Sequence, residues 1–233
     1  MKKCTKDILF IAAIVVLLAP FFMFDTAAEW FKSSTAAHPY AMAFLKFMIL
    51  STIGEMIGLR IQSGVYSYKG FGLFPRAIVW GFFGVLIAAA MKIFSTGTPV
   101  VLEGFGLNGA VASMAGGFTA TKLISAFFIS LLMNTLFAPV FMTLHKISDS
   151  NILANNGSLW KAITTPVPFG EALAGLNWKV QWGFVFKKTI PLFWVPAHTI
   201  TFLLPANIQV LFAASLSIVL GIFLSVAAVM SKK

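Results

Sequence analysis

The chain of 233 residues is 59% hydrophobic and 10% charged, with a mean hydropathy of +0.91 and a formal net charge of +10. A soluble domain is nearer half apolar and a quarter charged, so too little polar surface remains here to coat a water-soluble globule, and lipid is the expected solvent. The basic residues sit in short clusters between apolar runs, which is how membrane proteins fix orientation, and a nucleic-acid-binding role is set aside.

A membrane span takes about 20 apolar residues, within a range of roughly 17–25. The runs predict an all-α polytopic transmembrane helix bundle of about six spans (four to six), one integral membrane domain over residues 1–233. The first run, 8–24, is uncharged. It follows Lys2 and Lys3 and precedes Thr26-Ala27-Ala28, so it also reads as a secretory signal peptide, although it is long for one and the next loop is short. Cys4, the one cysteine, excludes an internal disulfide or a cysteine zinc site and lies ahead of the run. The second run, 40–59, carries Lys46 and Glu55; the third, 77–94, carries Lys92 near its end. Residues 95–121 hold six glycines and little charge, which suits an outer loop or, if protein or water covers its backbone, a re-entrant one. The fourth run is 123–144. The connection 145–188 is the longest, and Trp178 and Trp182, four apart, would share a helix face at the inner headgroup level. The fifth run, 189–204, is short and holds Pro191 and Pro196. Pro205-Ala206-Asn207 then turns the chain into the sixth, 208–230, making a helical hairpin.

With the N-terminus inside, 13 of the 17 basic residues fall on inner segments: Lys2, Lys3, Lys6, Arg60, Lys69, Arg76, Lys146, Lys161, Lys179, Lys187, Lys188, Lys232 and Lys233. Lys32 alone falls in an outer loop, a bias that places both termini in the cytoplasm. The sequon Asn156-Gly157-Ser158 is then internal and stays unmodified.

Three residues are candidates for a pore or polar lining. Glu55 is an acid within a span, and such residues usually face the bundle interior; with Arg60 about a turn away it also reads as a hydrated carboxylate at the inner interface. Asn134 can hydrogen-bond across helices, as glue or as lining. His198 in a prolyl, threonine-rich helix can move a proton or satisfy a carbonyl freed by Pro196. Lys46 and Lys92 can snorkel outward. Small residues every four along the last run (Ala213, Ser217, Gly221, Ser225), the GxxxG pair Gly54 and Gly58, and the Ser130, Asn134, Ala138 stripe mark helix-packing faces. Neither His38 nor His145 is read as having a carboxylate or histidine at metal-ligand spacing, so no metal site is expected. There is no P-loop, GxSxG, HExxH or CxxC pair, so no catalytic residue or cofactor is expected.

His38-Pro39-Tyr40 followed by Gly54-Glu55 resembles the opening helix of the Mpv-seventeen and twenty-two-kilodalton peroxisomal membrane protein family, where an aromatic or basic residue and a proline precede a Gly-Asp pair at this spacing. Lys122, Asn134 and Ala138-Pro139 resemble the family's Lys, Asp-Gln and Ala-Pro stretch, with Met133 in place of the Asp. Asn177-Trp178-Lys179 resembles its Asn-Trp-Lys; Pro205 and Phe223-Leu224-Ser225 resemble its Val-Pro and Tyr-Leu-Ser. The resemblance covers residues 38–225. The Trp-Pro and Asn-Phe signature is scrambled at 191–205, and Gln209 stands where the family has arginine. The resemblance implies a membrane protein of a family some of whose members affect small-molecule permeability. The location is a cell inner membrane in a bacterium or an organelle membrane in a eukaryote.

The leading functional expectation is a channel- or transport-like protein for small solutes. A non-catalytic structural or assembly protein is the alternative, and a membrane-embedded enzyme ranks last for want of paired carboxylates or a nucleophile with its base. Expected partners are the lipid bilayer, small solutes or ions, and a second copy of the chain in a homo-oligomer; nucleic acid is not among them.

Overall fold

The structure is a computed structural model that describes residues 3–230, all-helical with no strands among them. Lys2, Lys232 and Lys233, counted above with the inner segments, lie outside the described residues. The first apolar run is divided between α1 (Lys3–Leu18) and α2 (Pro20–Met23), and α3 (Asp25–Ala37) follows it. The break falls at Pro20, which has no amide to continue the α1 ladder, and at Phe24, which is extended. Then α4 (Pro39–Ser63) opens with proline at its first position and ends on the left-handed Gly64. The long α5 spans Leu73–Gly104, and α6 is Ala110–Ala115. Next, α7 (Ala120–Leu132), a π-helical turn (Met133–Phe137) and α8 (Ala138–Ala154) run on as one helix, Ala120–Ala154. Two short helices follow, α9 (Leu159–Thr164) and α10 (Phe169–Ala174). The chain then continues through α11 (Trp178–Val180), a π-helical segment (Gln181–Trp194) and α12 (Val195–Leu203), and turns at Pro205 into α13 (Ala206–Met230).

Among the described residues three helices are long and apolar enough to cross a membrane, α4, α5 and the joined α7–α8, which does not confirm the expected count of about six. The first expected span is split at Pro20, and the fifth begins inside the π-helical segment around Pro191, close to Lys187 and Lys188. The described stretch Ala206–Ile222 of α13 is apolar but shorter. Two expected loops are helical at their edges. Residues 95–104 extend α5, with Pro99 inside it, and 145–154 extend α8. Both stretches are rich enough in polar residues to fail an apolar-run test, yet each prolongs a helix already nucleated, where adding a residue is easy.

The bundle is centred on α4, which packs on α5 along one side and on α13 along the other. Gly81 and Gly84 of α5 lie so close to α4 that a Cβ would sit 2.5 Å from Phe44 Cε2 and 2.6 Å from Phe47 Cβ. On the other side, a Cβ at Gly54 would come within 3.1 Å of Ile218 Cα, and one at Gly221 within 3.1 Å of Gly54 O. The small residues read from the sequence thus face one another across α4 and α13: Ser51 and Ser217 hydroxyls are 2.9 Å apart, and Gln62 Nε2 donates to Ser225 Oγ at 3.0 Å beside Gly58. Ala213 is buried on the same face, in a core with Phe47, Leu50, Ile87, Met91, Ile129, Met133 and Phe202. In contrast Phe82, Ile93, Leu136, Val140, Leu192 and Ile200 are all more than half exposed. Large apolar side chains on the outside of several helices suit a lipid environment.

Candidate functional site: a cavity among the helices

A cavity of about 530 Å³ lies between α4, α5, the π turn and α8, the Gln181–Trp194 segment, α12 and α13. Residues from Asn134 to Asp149 line it, so at 1.5 Å of rise per residue it follows that helix for about 22 Å. Glu55, Asn134 and His198, singled out separately in the sequence, all lie on its wall.

One end holds a charged cluster. Arg76 Nη1 donates to Glu55 Oε2 at 3.0 Å and to Asp149 Oδ1 at 2.5 Å, while its Nε donates to Phe71 O at 2.8 Å. Trp80 Nε1 donates to Glu55 Oε1 at 2.7 Å. His145 Nε2 stands 3.4 Å from Glu55 and 3.9 Å from Asp149, with its ring 4.4 Å from that of Trp80. The Arg76 side chain is 7% exposed and those of Glu55 and Asp149 17%. Burying such charges is tolerable only with this degree of pairing and hydrogen bonding.

The backbone explains how Arg76 reaches Asp149. Gly72, before α5, and Gly157, after α8, are both left-handed at φ 72° and 71°, and they touch. A Cβ on Gly157 would lie 2.6 Å from Gly72 N, and one on Gly72 would lie 2.5 Å from Ile152 Cγ2. Only glycine permits both the conformation and the approach. The start of α5 is thereby set against the end of α8, and Arg76 faces the cluster.

Glu55 therefore pairs with Arg76 on α5, and not with Arg60 as the sequence spacing suggests. Arg60 instead grips Asp7 of α1 through Nε and Nη2, each at 2.6 Å, and Tyr66 Oη donates to the same carboxylate at 2.8 Å. The Arg60 hydrogen bonds, then the Tyr66 one, lower the Asp7 carboxyl to about 2. Lys46 does not reach solvent: it is buried, donates to Thr35 Oγ1 at 2.9 Å and lies 4.6 Å from the Phe31 ring centre.

The other end is polar but uncharged. Asn134 Nδ2 donates to Ser130 O at 2.8 Å and Ser130 Oγ at 3.2 Å, both on its own helix; the link across helices is made by Ser130 Oγ, which donates to Val195 O at 2.8 Å. The π turn at Met133–Phe137 precedes Pro139, whose missing amide is a usual cause of such a bulge. His198 is buried at 6% exposure and stacks near Trp194, ring centres 5.4 Å apart. His198 Nδ1 and Trp194 Nε1 are both buried without a hydrogen-bond partner among the described residues. His198 Nδ1 thus makes no bond to a carbonyl freed by Pro196. A buried polar group left unpaired costs about 1–3 kcal/mol.

Glu55, His145 and Asp149 bring one ligand atom each within 4.8 Å of one another, a grouping that could take a cation. Arg76 already serves both carboxylates as counter-cation, so a metal ion would have to displace a guanidinium held by three hydrogen bonds. His145 and Asp149 stand four apart on one helix, a full turn, so the sequence does carry a histidine and a carboxylate at ligand spacing, contrary to the expectation above. Arg76, counted only as an inner-loop charge, gave no such sign, because its partners lie on two other helices. No family model, curated protein or solved structure matches the chain.

Proposed function

We propose that the protein is a channel- or transport-like membrane protein whose interhelical cavity is the compartment for a small solute, in keeping with its resemblance to the Mpv-seventeen family. The observation that carries this reading is the single cavity of about 530 Å³ on which Glu55, Asn134 and His198 all lie, within a bundle whose outer side chains are apolar. Cavities between helices are where bundles hold their ligands, and prolines in short segments such as Pro191 and Pro196 accompany substrate sites in transporters. The Glu55–Arg76–Asp149 group then closes one end, with Glu55 paired to Arg76 rather than free to attract cations. Purified protein in liposomes is expected to speed entry of small solutes in a series graded by size and charge, measured by light scattering after osmotic shock. Rates equal to those of protein-free liposomes for every solute would leave the alternative, a structural protein whose polar groups only join helices.

A further inference from the structure

We propose that a second cavity, lined by α1–α3 together with α4 and α13, binds a fatty acid, with the carboxylate on Lys46 and the chain along the apolar wall. This site is separate from the solute cavity and goes beyond the function read from it. The first apolar run, broken at Pro20 and Phe24, gives way to α2 and α3, and a space of about 400 Å³ is left where these helices meet α4 and α13. Small-molecule sites ordinarily enclose roughly 300–1,000 Å³. The wall is almost wholly apolar, with Phe21, Ile49 and Leu211 on it, and its two charged residues are Lys32 and Lys46. Among the described residues no Asp or Glu lines it.

Lys46 is buried, and its Nζ donates to Thr35 Oγ1 at 2.9 Å and lies 4.6 Å from the Phe31 ring centre. Thr35 and Phe31 both line the cavity with it, so the ammonium stands among the lining groups. An ammonium has three donors, and one is used here. A hydroxyl and a ring carry no opposite charge. Arg60 and Arg76 each have a carboxylate, whereas among the described residues none pairs with Lys46. A charge taken out of water is normally paired, so the missing partner is an anion. An apolar wall around that anion asks for an acyl chain behind it. Lys46 stands seven residues after Pro39, about 10 Å along α4. A fatty acid carries its carboxylate directly on a single chain and can seat it there, while a phospholipid phosphate is tied through glycerol to a second chain. Phe22 and Trp30, also on the wall, are largely exposed, so the cavity opens to the outer surface of the bundle, the side from which a ligand dissolved in lipid arrives.

The experiment photolabels the full chain in non-ionic micelles with a palmitate carrying a diazirine on its chain, and locates the label by mass spectrometry. Label is expected on residues of this cavity such as Ile49 and Leu211, displaced by plain palmitate and far less by hexadecanol, hexadecyltrimethylammonium or phosphatidylglycerol. Lys46→Met, which keeps the apolar stem, should weaken palmitate displacement about tenfold to a hundredfold, the effect of losing a hydrogen bond to a charged group, and Lys46→Arg should restore most of it. Hexadecanol competing as well as palmitate would show that no cation reads the head and overturns the proposal. So does Lys46→Met binding like wild type, or label falling outside this cavity. Phosphatidylglycerol competing as well as palmitate overturns the fatty acid as occupant in favour of a bilayer lipid. Should either variant fail to fold, the competitors on the wild-type protein still decide. None of these results bears on solute flux into liposomes, which tests the other cavity by itself.

Discussion

The two ends of the cavity handle buried polarity in opposite ways. At the charged end the buried groups are engaged: Arg76 bonds Glu55, Asp149 and Phe71 O, Trp80 bonds Glu55, and His145 stands between the two acids. At the other end Trp194 Nε1 and His198 Nδ1 have no partner. Engaged groups hold helices together, here α4, α5 and α8. Unengaged groups hold no helices together and cost stability. Substitutions at the charged end should therefore lower melting most.

The largest effect is expected from Arg76→Met, which leaves two buried carboxylates without their cation. Unfolding free energy in detergent should fall by about 3–5 kcal/mol, unless both acids are also replaced. A melting curve like that of wild type would show that water enters this end freely. Glu55→Gln keeps the shape and a hydrogen bond from Trp80 while removing one of two charges on Arg76. A loss of about 1–3 kcal/mol is expected, with little change in ion selectivity in liposomes. A stable variant with altered selectivity would instead mark Glu55 as a free charge on a hydrated path.

Gly221→Leu tests the packing that frames the cavity. Gly221 faces Gly54 O, where an added Cβ would stand at 3.1 Å, so the larger side chain must push α13 from α4. A loss of about 1–3 kcal/mol is expected from overpacking. A variant that melts like wild type would mean that the two helices can part without cost.

The smallest effect belongs to Asp7. Its side chain is 36% exposed, so its pairing with Arg60 is screened by solvent. The folded-state pKa of about 2 lies below the ordinary 3.8, so the contribution is complete above 3.8 and is lost as pH falls toward 2. Asp7→Asn should melt close to wild type at neutral pH, and the gap between the two should close on acidification through that window. A gap that widens in acid would mean that another group, and not Asp7, titrates there.

An all-helical bundle with helices long and apolar enough to cross a membrane was legible because apolar runs and a shortage of charge survive any change of detail. The faces of Gly54, Gly58, Ser217 and Gly221 were legible because a four-residue period is local. Span ends were hidden, since α5 runs through Pro99 to Gly104 and α8 through His145 to Ala154 despite their polar residues. The partner of Glu55 was hidden as well. Arg60 is nearer in sequence, and only the contact between Gly72 and Gly157 sets Arg76 against the acids. His198 was visible as a buried histidine, but its lack of a partner depends on where Ser130 and Thr199 spend their hydroxyls.

The central claim is that solute occupies this cavity, and filling it tests that most directly. Met142 lines the cavity from α8 and takes no part in the charged cluster. Met142→Trp adds bulk there without touching an ion pair, so the reconstituted variant should keep its melting behaviour and lose most of the wild-type solute flux into liposomes. Flux equal to wild type from a folded Met142→Trp protein, across the whole solute series, would contradict the account.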